Sequence, residues 1–361
     1  MKQDLSNPYE RDYFLQKNQP LNSLVASDLQ KITETIESKL SDCVILLGGS
    51  LAYGEGKYKK SGEDLVVLSD YDIYVIVPSL FKALRTLISK QFKNLLLKLN
   101  LFSSLELVVV WEGSLRLNLT TVAGNILVGR ERGEKILNHL SVPEFANNLK
   151  RAFKYLLSGI AEAENRGRFL RRSIIQAFQA LLLSTAKKEN VRYEVWKNFY
   201  SLRYDLQTVE NFKERLGDLT YKLLKKVLSE ELTDKPSQPE LGFEEFSVIK
   251  HCIIKLYLDS KLTLKINDYI RYLTFNIKEG RLPNPIFNST QHYFRAAYLL
   301  SMSVEGINRF NEEKLHASEM ILAKLTGFNC KSESSEMRFK HLVERLFYYD
   351  ESYLHKVKLT R

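Results

Sequence analysis

An apolar run that ends on two glycines constrains this chain most. Cys43 to Leu47 (CVILL) passes directly into Gly48-Gly49-Ser50, which predicts a buried strand closing in a tight turn. Downstream, Asp70 to Val77 (DYDIYVIV) is rich in β-branched and aromatic residues and stops at Pro78, a second strand. Leu105 to Trp111 (LELVVVW) reads as a third. Helical spacing of Leu24, Leu29, Ile32, Ile36 and Leu40 predicts a helix over 21–41, and 79–99 reads as an amphipathic helix with Ser79 as N-cap. The polar stretch Lys57 to Glu63 reads as a loop. Over 117–128 the pattern leaves a strand and a short helix both open.

Beyond Pro143 the character changes. Segments 144–165, 168–190, 207–232 and 243–258 carry Leu, Ile, Phe and Tyr at helical spacing, with few strand-like stretches. The tract TDKPSQPELG (233–242) breaks this helical half, and KSESSE (331–336) reads as an exposed loop. The fold class that follows is α+β: a small sheet with helices over 1–140, then an all-α part over 141–361 with a split near 233–242. At 361 residues the chain is long enough for two domains, each with its own core.

Composition narrows the setting. No run approaches the apolar length of a membrane span, and the start MKQDLSNPYERDYF has no signal-peptide core. Cys43, Cys252 and Cys330 are too scattered for a disulfide framework or a zinc cluster. A cytoplasmic protein without a membrane partner is the expectation. The net charge of +10 suits phosphate-bearing ligands, but the basic residues are spread out, which fits a solubilising surface better than a nucleic-acid stripe.

The candidate chemistry lies at the two strand starts. Side chains at i and i+2 of a strand share a face, so Asp70 and Asp72 project together while Tyr71 and Ile73 project the other way. Two carboxylates this close repel unless a cation neutralises them. Their oxygens suit a hard ion such as Mg²⁺, which binds through one or two carboxylates plus substrate phosphates. A strand running into Gly48-Gly49-Ser50 and a helical turn presents backbone N–H groups and a hydroxyl to phosphate oxygens. Either piece alone is more often a plain turn or a solvated strand start. Together they are much sharper.

The combination resembles the polymerase-β-type nucleotidyltransferase superfamily, in particular its minimal and antibiotic-modifying branches. The residues that carry the resemblance are Gly49-Ser50-Leu51-Ala52-Tyr53-Gly54 and Ser69-Asp70-Tyr71-Asp72-Ile73, within about residues 40 to 130. The sequence departs from the family at Tyr53, where an arginine is common, and in the longer GEGKYKKSGEDLVVL stretch before Asp70. The family uses a third carboxylate on a neighbouring strand. Glu106, set between Leu105 and Leu107, matches that position, and Glu112 shares its face by parity at the far end of the strand.

The resemblance implies a nucleotidyltransferase-fold mixed sheet followed by a helical, acceptor-selecting domain. It implies transfer of a nucleoside monophosphate, AMP from ATP as first choice, with two Mg²⁺ ions held by Asp70, Asp72 and Glu106 and the donor phosphates held by Gly49 and Ser50. For the acceptor, the hydroxyl of a small sugar-like molecule ranks first. A protein or a tRNA end ranks second, and a catalytically degenerate binding protein is the rival from another class. The cluster RGRFLRR (166–172) reads as a solvated helix end before it reads as a ligand contact. The Tyr and Phe residues of the helical half read as core.

Overall fold

Strand β1 (Val44–Gly48) is buried along its whole length because it has a partner on each side, antiparallel β4 (Tyr71–Val77) and antiparallel β6 (Asn125–Val128). In the computed structural model the described residues are 7–14, 17–61, 64–113, 124–137, 145–185, 202–232, 241–260, 272–273, 275–277, 279–282, 289–328, 334–351 and 356–359. The chain divides into two compact units. One comprises 1–142, 190–201 and 354–361, and the other 143–189 and 202–353.

The first unit is built on a mixed sheet of order β6-β1-β4-β5-β9. Strand β5 (Leu105–Trp111) runs parallel to β4, and β9 (Lys356–Leu359) runs antiparallel to β5. The sheet is fed from both ends of the chain, so the expectation that all of 141–361 stays with the helical part does not describe its last residues. Strand parity sorts the side chains into two cores. Ile45, Leu47, Tyr71, Ile73, Val75, Val77, Leu105, Leu107 and Val109 face α1 (Gln19–Glu37) and the crossover helices, whereas Val44, Leu46, Ile76, Val108 and Val110 pack with Ile136 on the other face. Ile136 belongs to the helix Arg130–Leu137 that follows β6. This second cluster is small, and its buried members sit towards the Val44, Ile76 and Val110 end of the sheet.

Local chemistry revises two expectations and decides part of a segment left open. The helix read over 79–99 is two helices, α3 (Leu80–Ile88) and α4 (Lys90–Leu97). Ser89 leaves the helical backbone between them and caps α4, its Oγ accepting from Phe92 N at 3.3 Å. Ser79 does cap α3, accepting from Lys82 N at 3.1 Å. The polar run read as a loop contains β2 (Tyr58–Ser61), paired antiparallel with β3 (Asp64–Val67). The polar first strand concealed the ribbon, although Val67 of the second strand is buried in the large core. Of the ambiguous 117–128 stretch, Asn125–Val128 is strand β6, and 114–123 lie outside the described residues.

Among the described residues the second unit is helical apart from a short hairpin of β7 (Val304–Gly306) and β8 (Arg309–Phe310). Its long helices include Phe145–Ala161, Arg166–Thr185, Asp218–Leu232, Phe243–Leu258, Ser289–Ser303, Glu312–Thr326 and Ser335–Glu351. Fully buried Phe153, Phe178, Phe246, Phe294, Phe339, Tyr293 and Tyr349 make the aromatics core, as read from the sequence. The stretch 207–232 is interrupted rather than continuous, with Lys213–Leu216 and Asp218–Leu232 meeting at Gly217. Residues 233–240, where a split was expected, lie outside the described residues, and the flanking helices belong to one unit. Of KSESSE, Ser335 and Glu336 open a helix, and 331–333 are outside the described residues.

Candidate metal and phosphate site

Register across three strands assembles the acids. Gly48 pairs with Asp72 between β1 and β4, and Asp72 pairs with Glu106 between β4 and β5. Asp70 lies two residues before Asp72, on the same side of the chain. One carboxylate oxygen from each of Asp70, Asp72 and Glu106 falls within 4.8 Å of the other two. Asp70 is the most open of the three, and Glu106 is only 8% exposed. Glu112, the same-face alternative, is held instead in an ion pair with Arg132, whose Nε lies 3.1 Å from its Oε2.

Gly49 joins the turn to the acids. Its φ is +63°, a region L side chains rarely adopt, and a Cβ there would fall 1.8 Å from Asp72 Oδ2. The Asp72 carboxylate therefore occupies the space that a side chain at 49 would need. Ser50 follows in a single helical turn, α2 (Gly49–Ala52), and its carbonyl accepts from Glu55 N at 2.8 Å as the chain folds back. Gly124 allows a second close approach, since a Cβ on it would lie 2.2 Å from the Leu47 carbonyl oxygen. That closeness brings β6 under the turn, where Asn125 Nδ2 donates to the Ala52 carbonyl.

The start of β4 is pinned from the other face. Tyr71, between the two aspartates in sequence, is fully buried and donates its hydroxyl to Asp28 Oδ2 at 2.9 Å. Phe102 N donates to the same oxygen at 2.6 Å, and Lys31 Nζ lies 3.2 Å from Oδ1. Burial first, and then the Asp28 carboxylate, push the Tyr71 hydroxyl well above the usual tyrosine range. Ser69 accepts from Lys57 N at 2.9 Å, and its carbonyl accepts from Ser103 Oγ at 2.7 Å. Asp70 and Asp72 are thus carried on backbone anchored at several points.

Two of these anchors escape a motif reading. Asp28 was missed, although an acid on the buried stripe of Val25, Leu29 and Ile32 needs a partner and so carries a signal. Arg11 was not signalled. Its Nη2 donates to the Ala52 carbonyl at 2.8 Å, so an arginine from the N-terminal segment reaches the turn that ends at Tyr53. No protein-family model, curated protein or solved structure matches the chain.

The donor set fits a hard divalent ion. Three carboxylates offer oxygen ligands alone, the preference of Mg²⁺. Two ligands of one Mg²⁺ at about 2.1 Å can be at most about 4.2 Å apart, so small side-chain rotations bring oxygens spanning 4.8 Å into range.

Other candidates have structural explanations. In RGRFLRR, Arg171 is buried and bonds Glu230 Oε2 at 2.6 Å, and the Arg172 guanidinium lies over the Tyr155 ring. A groove of about 600 Å³ in the helical unit is lined by Arg215 and Lys255 but also by Asp218 and Asp259, so its rim carries both signs. Cys252, also in its lining, has its thiol pushed up to about 12 by burial and stays protonated at neutral pH.

Proposed function

We propose that the first unit is a Mg²⁺-dependent nucleotidyltransferase that moves a nucleoside monophosphate, AMP from ATP as first choice, onto the hydroxyl of a small sugar-like acceptor. The observation that carries this reading is the row formed by the Gly48-Gly49 turn, Asp72 and Glu106, with Asp70 beside it. Acids gathered this closely, one of them buried, are unfavourable without a cation. Their position against a glycine turn matches what a metal–triphosphate complex requires.

Asp70, Asp72 and Glu106 would hold magnesium, which when bound neutralises the triphosphate and makes the acceptor hydroxyl more acidic. The residues divide the remaining work. Gly49 leaves room for Asp72 and, with Ser50, lets the backbone approach the donor phosphates. Glu106, the most buried of the three, would take the proton of the attacking hydroxyl. The buried Asp28–Tyr71 bond and the Ser69 contacts hold the aspartates in position, so that little reorganisation accompanies transfer.

Calorimetric titration of Mg·ATP into the wild type and into Asp70→Ala/Asp72→Ala tests the reading. Binding that requires Mg²⁺ and disappears in the double variant is expected. Equal binding by both proteins, or none by either, would remove the catalytic claim. With binding established, labelled ATP identifies the acceptor class, and a tRNA acceptor would announce itself by steep salt dependence.

A further inference from the structure

Resting on that reading, we propose that Arg11, in the segment before α1, is a positioning residue of the site and fixes the glycine turn in the shape that receives the donor phosphates. A helix of four residues is not stable by itself. Nucleating one turn fixes several backbone angles for a single hydrogen bond, so α2 takes its shape from what packs against it. Leu51 and Ala52 at its end are fully buried, and the Ala52 carbonyl accepts two side-chain donors. One is Asn125 Nδ2 from β6, and the other is Arg11 Nη2 at 2.8 Å. The arginine bond is charge-assisted, and a cation at the C-terminal end of a helical turn also suits its dipole. Gly49 and Ser50 belong to the same four residues, each adding about 1.5 Å of rise. A shift at Ala52 is therefore passed on to the residues that meet the phosphates.

Four consecutive residues of the N-terminal segment lie along the chain that leaves the turn. After the Arg11 bond, the Asp12 carbonyl oxygen lies 3.1 Å from where a Cβ on Gly54 would sit. Gly56 N donates to the Tyr13 carbonyl at 2.9 Å, and Phe14 pairs with Gly56 in a parallel bridge. A Cβ on Gly56 would fall 2.6 Å from the Tyr13 carbonyl oxygen, so a glycine there admits the segment. Tyr13 is fully buried, and its amide donates to Asn22 Oδ1 of α1 at 3.0 Å. The Arg11 guanidinium lies 5.8 Å from the centre of the Tyr13 ring, which helps to aim it at the turn. Most of these contacts do not involve the Arg11 side chain. Removing the guanidinium cuts the tie to Ala52, while the segment stays docked and the Ala52 carbonyl keeps its bond from Asn125.

The test measures two affinities in the full chain, for Mn²⁺ alone and for Mg·ATP, in wild type, Arg11→Met, Arg11→Lys and Lys17→Met. Mn²⁺ alone reports on the acids of β4 and β5, whereas Mg·ATP also needs the turn. Arg11→Met is expected to weaken Mg·ATP about tenfold and to leave Mn²⁺ unchanged. Arg11→Lys keeps a charged donor and should recover most of the loss. Lys17→Met removes an exposed charge from the same segment and should alter neither affinity. An arginine that only stabilises the fold would lower the unfolding temperature and leave both affinities intact, or weaken both together. Either result overturns the role of Arg11 while leaving the proposed activity standing, as would an equal loss in Lys17→Met or no recovery in Arg11→Lys. Should Arg11→Met fail to fold, Arg11→Gln is read by the same criteria. Failure of the wild type to bind Mg·ATP would overturn the activity and this inference together.

Discussion

Two sets of carboxylates flank the start of β4, on opposite faces of the same sheet, and their surroundings differ in kind. Asp28 is fully buried and surrounded by donors: the Tyr71 hydroxyl, the Phe102 amide and the Lys31 ammonium. Asp70, Asp72 and Glu106 each bring a carboxylate oxygen within 4.8 Å of the other two, on the face of the smaller apolar cluster. Protein donors satisfy the first set, so it stabilises the fold. The second set concentrates negative charge that a ligand from outside can balance. One strand thus carries both a structural acid contact, through Tyr71, and a member of the candidate metal cluster, Asp72.

The largest effect separates the two sets by stability. Asp28→Ala strands the buried Tyr71 hydroxyl and the part-buried Phe102 amide, and should lower the unfolding free energy by about 3 kcal/mol, read by urea denaturation. Asp70→Asn/Asp72→Asn should leave metal-free stability unchanged or raise it, because it relieves like-charge repulsion. It should also abolish the stabilisation by Mg²⁺, which for the wild type reaches about 2.7 kcal/mol at roughly a hundred times the dissociation constant. If the paired aspartates proved as costly to remove as Asp28, they would be structural and the contrast would collapse.

A smaller effect sharpens the link between turn and acids. Gly49→Ala meets an unfavourable positive φ, costing about 1–2 kcal/mol, and drives its Cβ into Asp72. Mg·ATP binding should fall far more than stability does. A variant that bound normally would show that Asp72 can move aside without consequence.

The smallest effect concerns pH. The Tyr71 hydroxyl ionises later in the folded protein than an ordinary tyrosine does. Above a pH of about 10 the unfolded chain releases that proton first, so the unfolded state binds fewer protons and stability falls as pH rises. The contribution is fully present below the ordinary tyrosine range and is lost towards the raised folded value. Tyr71→Phe should flatten the alkaline limb of the stability profile and leave the neutral limb lower by the lost bond. An unchanged alkaline limb would assign that limb to other buried tyrosines such as Tyr13, whose hydroxyl is also raised, chiefly by burial.

Much of the sheet was legible because β-strand signals are local. β1, β4 and β5 were read within one or two residues of their bounds from apolar runs bounded by Gly48, Pro78 and Trp111. Asp70 and Asp72 could be placed on one face by parity alone, since alternation needs no partner strand. The β2–β3 ribbon was not legible, because its first strand is polar apart from Tyr58 and its apolar residues are confined to Leu65-Val66-Val67. The break at Ser89 was missed because the apolar spacing continues across it while the backbone does not.

By itself, the sequence determined which residues could carry chemistry: the glycine turn, the aspartate pair and a glutamate on a later strand. Side-chain type and strand parity are properties of the chain at short range, so they can be read without a fold. The choice of Glu106 over Glu112 already follows from its flanking Leu105 and Leu107. Only the tertiary structure decided that Asp72 fills the space over Gly49, that Glu112 pairs with Arg132, and that the strand Lys356–Leu359 returns to pair with β5. These are matters of register between segments distant in sequence. Register is set by the summed burial of whole strands, which short-range patterns do not contain.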